Sequence, residues 1–183
     1  DFASFSGYKF HSVRGVGFVY IKAGKKIAPL LTGGGQESDM RSTTENVAGI
    51  AATAKALRLT LDKDKATDSQ KQLAAMKQIL VDELSKYQDV TVFSGIENFV
   101  PSILTFGIKN IRGEVIVHAF EDHQIYISTT SACSSKAGKP AGTLIAMGVP
   151  QKLAQTAVRV SLDGDNDMGQ IEQFLTIFKQ IYH

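Results

Sequence analysis

The 183-residue chain holds one cysteine, Cys133. It therefore has no internal disulfide, and a lone thiol fits a reducing cytoplasm. No run approaches the roughly 18 apolar residues that a membrane helix needs, and no basic segment followed by an apolar one opens the chain, which sets aside membrane and secretory readings. An excess of charge is missing too: 20 basic against 18 acidic groups leave a formal net charge of +2. The lysines and arginines are spread among acids rather than gathered in a stripe, so there is no electrostatic footprint for nucleic acid. What remains is an ordinary soluble-globular composition, 43% hydrophobic and 21% charged. The chain also lacks an initiating Met and any helix before its first apolar run, while eight of its 16 glycines fall in the first 49 residues. A domain rarely starts in this way, and the expectation is that the front of something larger is missing.

Residues 2–10 (FASFSGYKF) alternate aromatic and small side chains with a period near two, and 16–22 form a β-branched and aromatic run. Both read as strands joined by a turn at Gly15, with Lys9 at a strand end. Gly33-Gly34-Gly35-Gln36 is a loop that could approach a ligand closely or be a plain turn. Ser42 with Glu45 offers a capping box ahead of a long helix carrying Val47, Ile50, Ala51, Ala54, Leu57 and Leu61. The charge run at Asp62–Lys65 reads as a hinge, which puts domain limits at 1–62 and 63–183. Thr67 or Asp68 would cap a helix with Leu73, Met76, Leu80, Leu84 and Tyr87 on one face.

Beyond it, Val90–Phe93, Ser102–Phe106, Gln124–Ser128 and Ala157–Leu162 read as strands. Glu114–Asp122 reads as a helix with Val115, Ile116, Ala119 and Phe120 inward, Thr143–Met147 and a turn after Pro150 as short helices, and Asp167–Tyr182 as a closing helix. This order predicts an α+β layer, helices against a mainly antiparallel sheet.

Three residues could carry chemistry. Lys9, beside apolar neighbours, could be a desolvated, nucleophilic amine, or simply a surface lysine at a strand tip. Cys133 lies among small polar residues that cannot build a core and is flanked by Lys136 and Lys139. An exposed loop thiol beside two cations favours the thiolate, the reactive form. Arg159 sits mid-strand on the pleat face opposite Val158 and Val160, where a guanidinium suits bidentate capture of a carboxylate; an edge-strand arginine facing water fits the pattern equally. His118 and His123, five apart, do not have a metal-ligand spacing and read as structural or surface residues; no metal site is expected.

The ordered set Ser6-Gly7-Tyr8-Lys9-Phe10-His11, Arg14-Gly15-Val16-Gly17, Gly33-Gly34-Gly35-Gln36-Glu37, Arg41-Ser42-Thr43-Thr44-Glu45-Asn46, Ser131-Ala132-Cys133-Ser134-Ser135 and Arg159-Val160-Ser161 strongly resembles the C-terminal half of the cysteine desulfurases. These are pyridoxal-phosphate enzymes of the class V aminotransferase group with the fold-type I architecture. The fold implied is α/β: the end of the large cofactor domain (1–62) followed by an α+β small domain with a mainly antiparallel sheet (63–183).

By this resemblance Lys9 is the lysine that bonds covalently to pyridoxal 5'-phosphate and later moves protons, Ser6 and Tyr8 lie at the cofactor phosphate, and Thr44 reaches the cofactor of the other subunit of a homodimer. Arg159 grips the carboxylate of L-cysteine. Cys133 attacks the substrate sulfur, becomes a persulfide, leaves alanine, and passes the sulfur to an acceptor protein of iron–sulfur assembly or tRNA thiolation. Tyr8 stands where the family usually has a histidine that helps hold the phosphate, and Ser12 replaces a common glycine. The family's cofactor-stacking histidine, the acid pairing the pyridine nitrogen and the residue bonding the phenolic oxygen lie upstream of the lysine and are not in this sequence. The isolated chain is thus expected to bind the cofactor weakly or not at all and to lack useful turnover. Alternatives are a selenocysteine lyase or a class V aminotransferase, although transamination needs no loop thiol, and a noncatalytic sulfur carrier or binding module.

Overall fold

The computed structural model describes residues 1–129 and 142–183, without the side chains of 63–65. The chain divides into two compact units, Asp1–Ala66 and Thr67–His183.

In the first unit, β1 (Phe2–Ser6) and β2 (Gly17–Ile21) pair antiparallel from Phe2 opposite Ile21 to Ser6 opposite Gly17. Their aromatic residues lock the ribbon: Phe5 stacks on Phe18 at 4.8 Å between ring centres, and Phe10 meets Phe18 edge-on at 6.1 Å. The strand expected over 2–10 stops at Ser6. Residues Gly7–Phe10 form a 3-10 turn closed by His11 in the left-handed region, so Lys9 lies on a turn and not on a strand end. The alternation of aromatic and small residues runs on past Gly7, but the backbone N–H of Gly7 bonds Val16 and its carbonyl accepts from Ser12, which bends the chain out of the ladder.

Helix α1 (Val47–Thr60) is capped by Asn46, whose side chain accepts from the Gly49 N–H. This corrects the capping box expected at Ser42 and Glu45: Ser42 donates its backbone N–H to Leu31 instead, a contact eleven positions away that no local pattern reveals. Only Gly7, Gly49, Thr53 and Ala56 of the described residues in this unit are buried, while Phe2, Phe5, Val19, Tyr20 and Leu30 are exposed. Four small residues do not make a core.

The second unit does have one. Helix α2 (Lys63–Leu84) leads to a four-stranded sheet of order β3-β4-β6-β5, every neighbouring pair antiparallel. Its strands are β3 (Val90–Val92), β4 (Ile103–Ile108), β5 (Ser128–Thr129) and β6 (Ala157–Ser161). Thr67 and Asp68 do not cap α2 but lie inside it: between Asp62 and Leu84 there is no Gly or Pro to stop the helix, and the Ala66 N–H already bonds the Asp62 carbonyl.

One face of the sheet packs on α2, α3 (Gly113–Glu121) and α6 (Met168–Tyr182), joining Met76, Leu80 and Leu84 to Phe106, Val158, Phe120 and Phe178 in one apolar core. The stripe Leu73, Met76, Leu80 and Leu84 is buried, as its 3.6-residue spacing predicts. Val115, expected inward, is exposed; Ile116 and Phe120, four apart, take the buried face of α3, with Val117 beside them. The strand expected from Gln124 is delayed to Ser128, because Gln124 has φ 60° and Ile125 donates back to the Phe120 carbonyl, closing the end of α3. Short helices α4 (Gly142–Ala146) and α5 (Gln151–Ala154) add a smaller cluster, Leu144, Ala154 and Ala157, with Phe93 and Val149.

Candidate active site

The structure gathers three of the proposed site residues on one turn. Ser6 precedes the 3-10 turn without spending its hydroxyl on a cap bond, Tyr8 is half exposed, and Lys9 is exposed two positions before the left-handed His11 that ends the turn. The desolvated surroundings expected for Lys9 are therefore not supplied by the described residues around it. The turn itself is tightly built. A Cβ on Gly7 would stand 3.0 Å from the Val16 carbonyl oxygen and 3.1 Å from Thr53 Oγ1, so the base of the turn approaches β2 and α1 more closely than most side chains allow.

Thr44 lies in the same unit, exposed, two residues before the Asn46 cap of α1. The glycine-rich stretch ahead of it is followed by Glu37, Ser38 and Asp39, all three with positive φ (52°, 56° and 64°). Backbone bonds from Asp39 to Gly35 and from Met40 to Glu37 hold this left-handed turn, so the loop is a defined structure and more than a plain turn. Behind it, Val16, Phe18, Met40, Arg41, Ile50 and Leu57 line a cavity of about 540 Å³.

Arg159 belongs to the second unit. It lies on an inner strand, since β6 is flanked by β4 and β5, which removes the edge-strand alternative. Val158 and Val160 point into the core, so Arg159 faces the other side, between its registered neighbours Thr105 and Ser128. Its Nε is buried and meets no hydrogen-bond partner among the described residues. A buried guanidinium N–H left without an acceptor is costly, and a carboxylate is the group that would satisfy it best. Cys133 falls in 130–141, outside the described residues, as do its flanking Lys136 and Lys139. Among the described residues no group of His, Cys, Asp and Glu could hold a metal ion, and no helix is long and apolar enough to cross a membrane.

Sequence reasoning missed two features. Lys77 is 2% exposed on α2; its Nζ donates to the Val100 carbonyl at 2.9 Å and stands 5.5 Å from the centre of the Phe99 ring. Burial pushes its pKa below the usual lysine range. The signal was present, because position 77 is one helical turn from Leu73 on the buried face. The second is the pair Ser12 and Thr53, joined by a hydrogen bond of 2.8 Å across 41 positions.

A fold with an exposed lysine on a strand-to-helix turn, and an arginine on an antiparallel sheet whose Nε meets no partner among the described residues, meets its match among known proteins. The family described as aminotransferase class-V covers residues 1–174, and the chain belongs to that family. Over its whole length it is 46% identical to a NifS/IcsS protein homolog of Lactobacillus delbrueckii, covering 47% of that protein. It is also 37% identical over 88% of its residues to a cysteine desulfurase IscS of Dictyoglomus turgidum, covering 41% of it. A solved NifS-like protein superposes on the entire chain with a TM-score of 0.85 at 33% identity, over 46% of that structure. The NifS-like protein of Rickettsia africae does so with 0.82 at 29%, over 47%. The α/β fold with antiparallel sheets is thus that of the fold-type I pyridoxal-phosphate enzymes over this span. The chain spans about half the length of the curated relatives it matches.

Proposed function

We propose that the chain is the C-terminal part of a cysteine desulfurase, with residues 1–62 completing a cofactor domain and 63–183 forming the small domain. The observation that carries this reading is the likeness, along essentially the whole chain, to relatives named as cysteine desulfurases.

The residues present fit pyridoxal phosphate by their donor set. An exposed primary amine shares one turn with the hydroxyls of Ser6 and Tyr8, the first not spent on capping. When bound, the cofactor supplies an electron sink at the substrate Cα. Lys9 would be the residue that holds the cofactor covalently through its amine and that, once free, would move a proton at the substrate Cα. Ser6 and Tyr8 would hold the phosphate by donating to it, and Thr44 would do so for a second subunit, so that the working form would be a homodimer.

Arg159 holds the L-cysteine carboxylate; the unpartnered Nε supports that role. Cys133, as thiolate, attacks the substrate sulfur. The new S–S bond forms as the C–S bond breaks, its electron pair returns to the carbon side, and protonation there gives alanine. The terminal persulfide sulfur then passes to an acceptor protein, in a cytoplasmic iron–sulfur or tRNA-thiolation system. A cysteine in a segment of Gly, Ser, Ala and Lys suits the two positions that such a transfer demands.

Among the described residues of the first unit only four are buried, all of them small, while a set of large apolar side chains stays exposed. This supports the expectation that the 183-residue chain does not work alone. Mixed with pyridoxal phosphate, it is expected to give little or no borohydride-reducible adduct on Lys9 and no sulfide from L-cysteine. A stoichiometric adduct with sustained sulfide release would overturn that expectation. In the protein completed by the upstream half, K9A and C133S are each expected to abolish alanine and persulfide formation respectively. Full activity in either variant would remove the proposed function.

A further inference from the structure

The Ser12 hydroxyl and the Thr53 hydroxyl are 2.8 Å apart, and Thr53 Oγ1 is also 2.8 Å from the Gly49 carbonyl oxygen. A carbonyl only accepts, so the single hydroxyl hydrogen of Thr53 is committed to Gly49 and Ser12 must donate to Thr53. The direction of the whole chain is thereby fixed: Ser12 to Thr53 to the backbone of α1. Thr53 is 6% exposed and Ser12 is half-buried, so the two bonds run in surroundings with little competing water.

Two further contacts tie the same pieces together. The Gly7 N–H bonds the Val16 carbonyl at 2.9 Å. Val16 in turn presses on the first turn of α1 so closely that a Cβ on Gly49 would lie 2.4 Å from its Cγ2. Gly49 also donates its N–H to the capping Asn46, two residues beyond Thr44. The turn Gly7–Phe10, which presents Lys9, is thus joined just beyond its C-terminal end to α1, and Thr44 lies on the segment that leads into that helix. Among the described residues nothing tethers the exposed Lys9 side chain; its placement is inherited from the backbone beneath it.

We infer that Ser12 and Thr53 are positioning residues that lock the Lys9 turn onto α1 through the Ser12–Thr53–Gly49 hydrogen-bond chain. The tether is a device of this sequence, since a glycine at position 12 could not make it. Its catalytic meaning rests on the reading of Lys9 given above, whereas the tether itself does not.

The test uses the 183-residue chain and the variants S12A, S12T and T53V. Backbone amide exchange is followed in the peptide covering 7–12, and a borohydride-trapped pyridoxyl adduct on Lys9 is measured alongside. S12A is expected to speed exchange at Gly7 and Ser12 about fivefold, the size of one half-buried hydrogen bond, and S12T, which keeps the hydroxyl, to restore the parent rate. The double variant S12A/T53V should exchange no faster than T53V, because both changes break one chain. Should T53V fail to fold, the half-exposed Ser12 pair still decides the matter. Unchanged exchange in S12A, or no restoration in S12T, overturns the inference. The expected exchange pattern without any adduct in the parent chain upholds the tether; a completed protein that likewise forms no adduct removes the cofactor role of Lys9.

Discussion

Arg159 stands directly opposite Thr105 across the β4–β6 ladder, and opposite Ser128 on the other side. Thr105 is itself fixed, because its backbone N–H bonds the Ser94 hydroxyl at 2.6 Å in a buried setting. Arg159 is thus flanked in register by two small hydroxyl residues, and its buried Nε meets no partner among the described residues, an arrangement that costs stability and makes sense as a receptor for an anion.

Function and stability should therefore part company at this position. R159M removes a buried unsatisfied donor and is expected to leave the unfolding midpoint of the chain unchanged or raised. In the completed protein, R159K should raise KM for L-cysteine at least about tenfold with a smaller loss in kcat, since a point charge replaces a bidentate fork. Urea unfolding and steady-state kinetics check the two halves. A marked loss of stability with unchanged KM would make Arg159 structural.

Lys77 is the opposite case, a buried amine with no function to explain it. Its pKa lies below the ordinary 10.5 because burial disfavours the charged form. The folded chain thus holds fewer protons than the unfolded one between the depressed pKa and 10.5, so its contribution to stability rises with pH through that window and is lost as pH falls through the folded value. K77M is expected to flatten this alkaline rise at little cost near neutrality. K77A, which also removes the packed four-carbon stem, should cost about 1–3 kcal/mol. Thermal unfolding between pH 7 and 10.5 separates these outcomes.

On the acid side the informative group is Glu83, which bonds Lys86 on its own segment and Lys179 of α6 at 3.1 Å. The hydrogen bond from Lys86, then that from Lys179, hold its carboxyl below the usual range. A lowered carboxylate pKa stabilises the fold above the ordinary value of 4.5 and ceases to do so as pH falls through the folded value. E83Q should lower the neutral plateau slightly and leave stability below the folded value nearly unmoved, so that the acid limb becomes shallower; the effect is small because both lysines are largely exposed.

The core sets the larger scale. Phe120 is fully buried and stacks on Phe174 at 4.7 Å with a 9° interplanar angle, joining α3 to α6. F120A is expected to cost about 3–5 kcal/mol, and F120L much less, by chemical denaturation. Removing the equally aromatic but exposed Phe2 should have a far smaller effect.

These cases also show what could be read in advance. The stripe from Leu73 to Leu84, the mainly antiparallel sheet with strands near 90–93, 102–106 and 157–162, and the closing helix after Asp167 are recorded in local spacing, and the structure reproduces them. The helix start at Lys63 was hidden by a charge run that looks like a linker but contains no residue that stops a helix. The Lys9 turn and the Asn46 cap were hidden for another reason: bonds from Gly7 to Val16 and from Ser42 to Leu31 decide them, and those partners are distant in sequence. At the candidate site, the residue types were legible and the Ser12–Thr53 support was not. The pleat face of Arg159 followed from alternation, while its inner-strand position required the pairing of β6 with both β4 and β5.

The central claim is that sulfur moves from L-cysteine to Cys133 with the help of Lys9. Its most direct test is to incubate the completed protein with pyridoxal phosphate and L-cysteine, alkylate it, and weigh the peptide that contains Cys133. The account predicts one additional sulfur atom on Cys133 with one alanine released per sulfur, both lost in K9A. An unmodified Cys133 with full alanine production, or a persulfide that forms equally well in K9A, would contradict it.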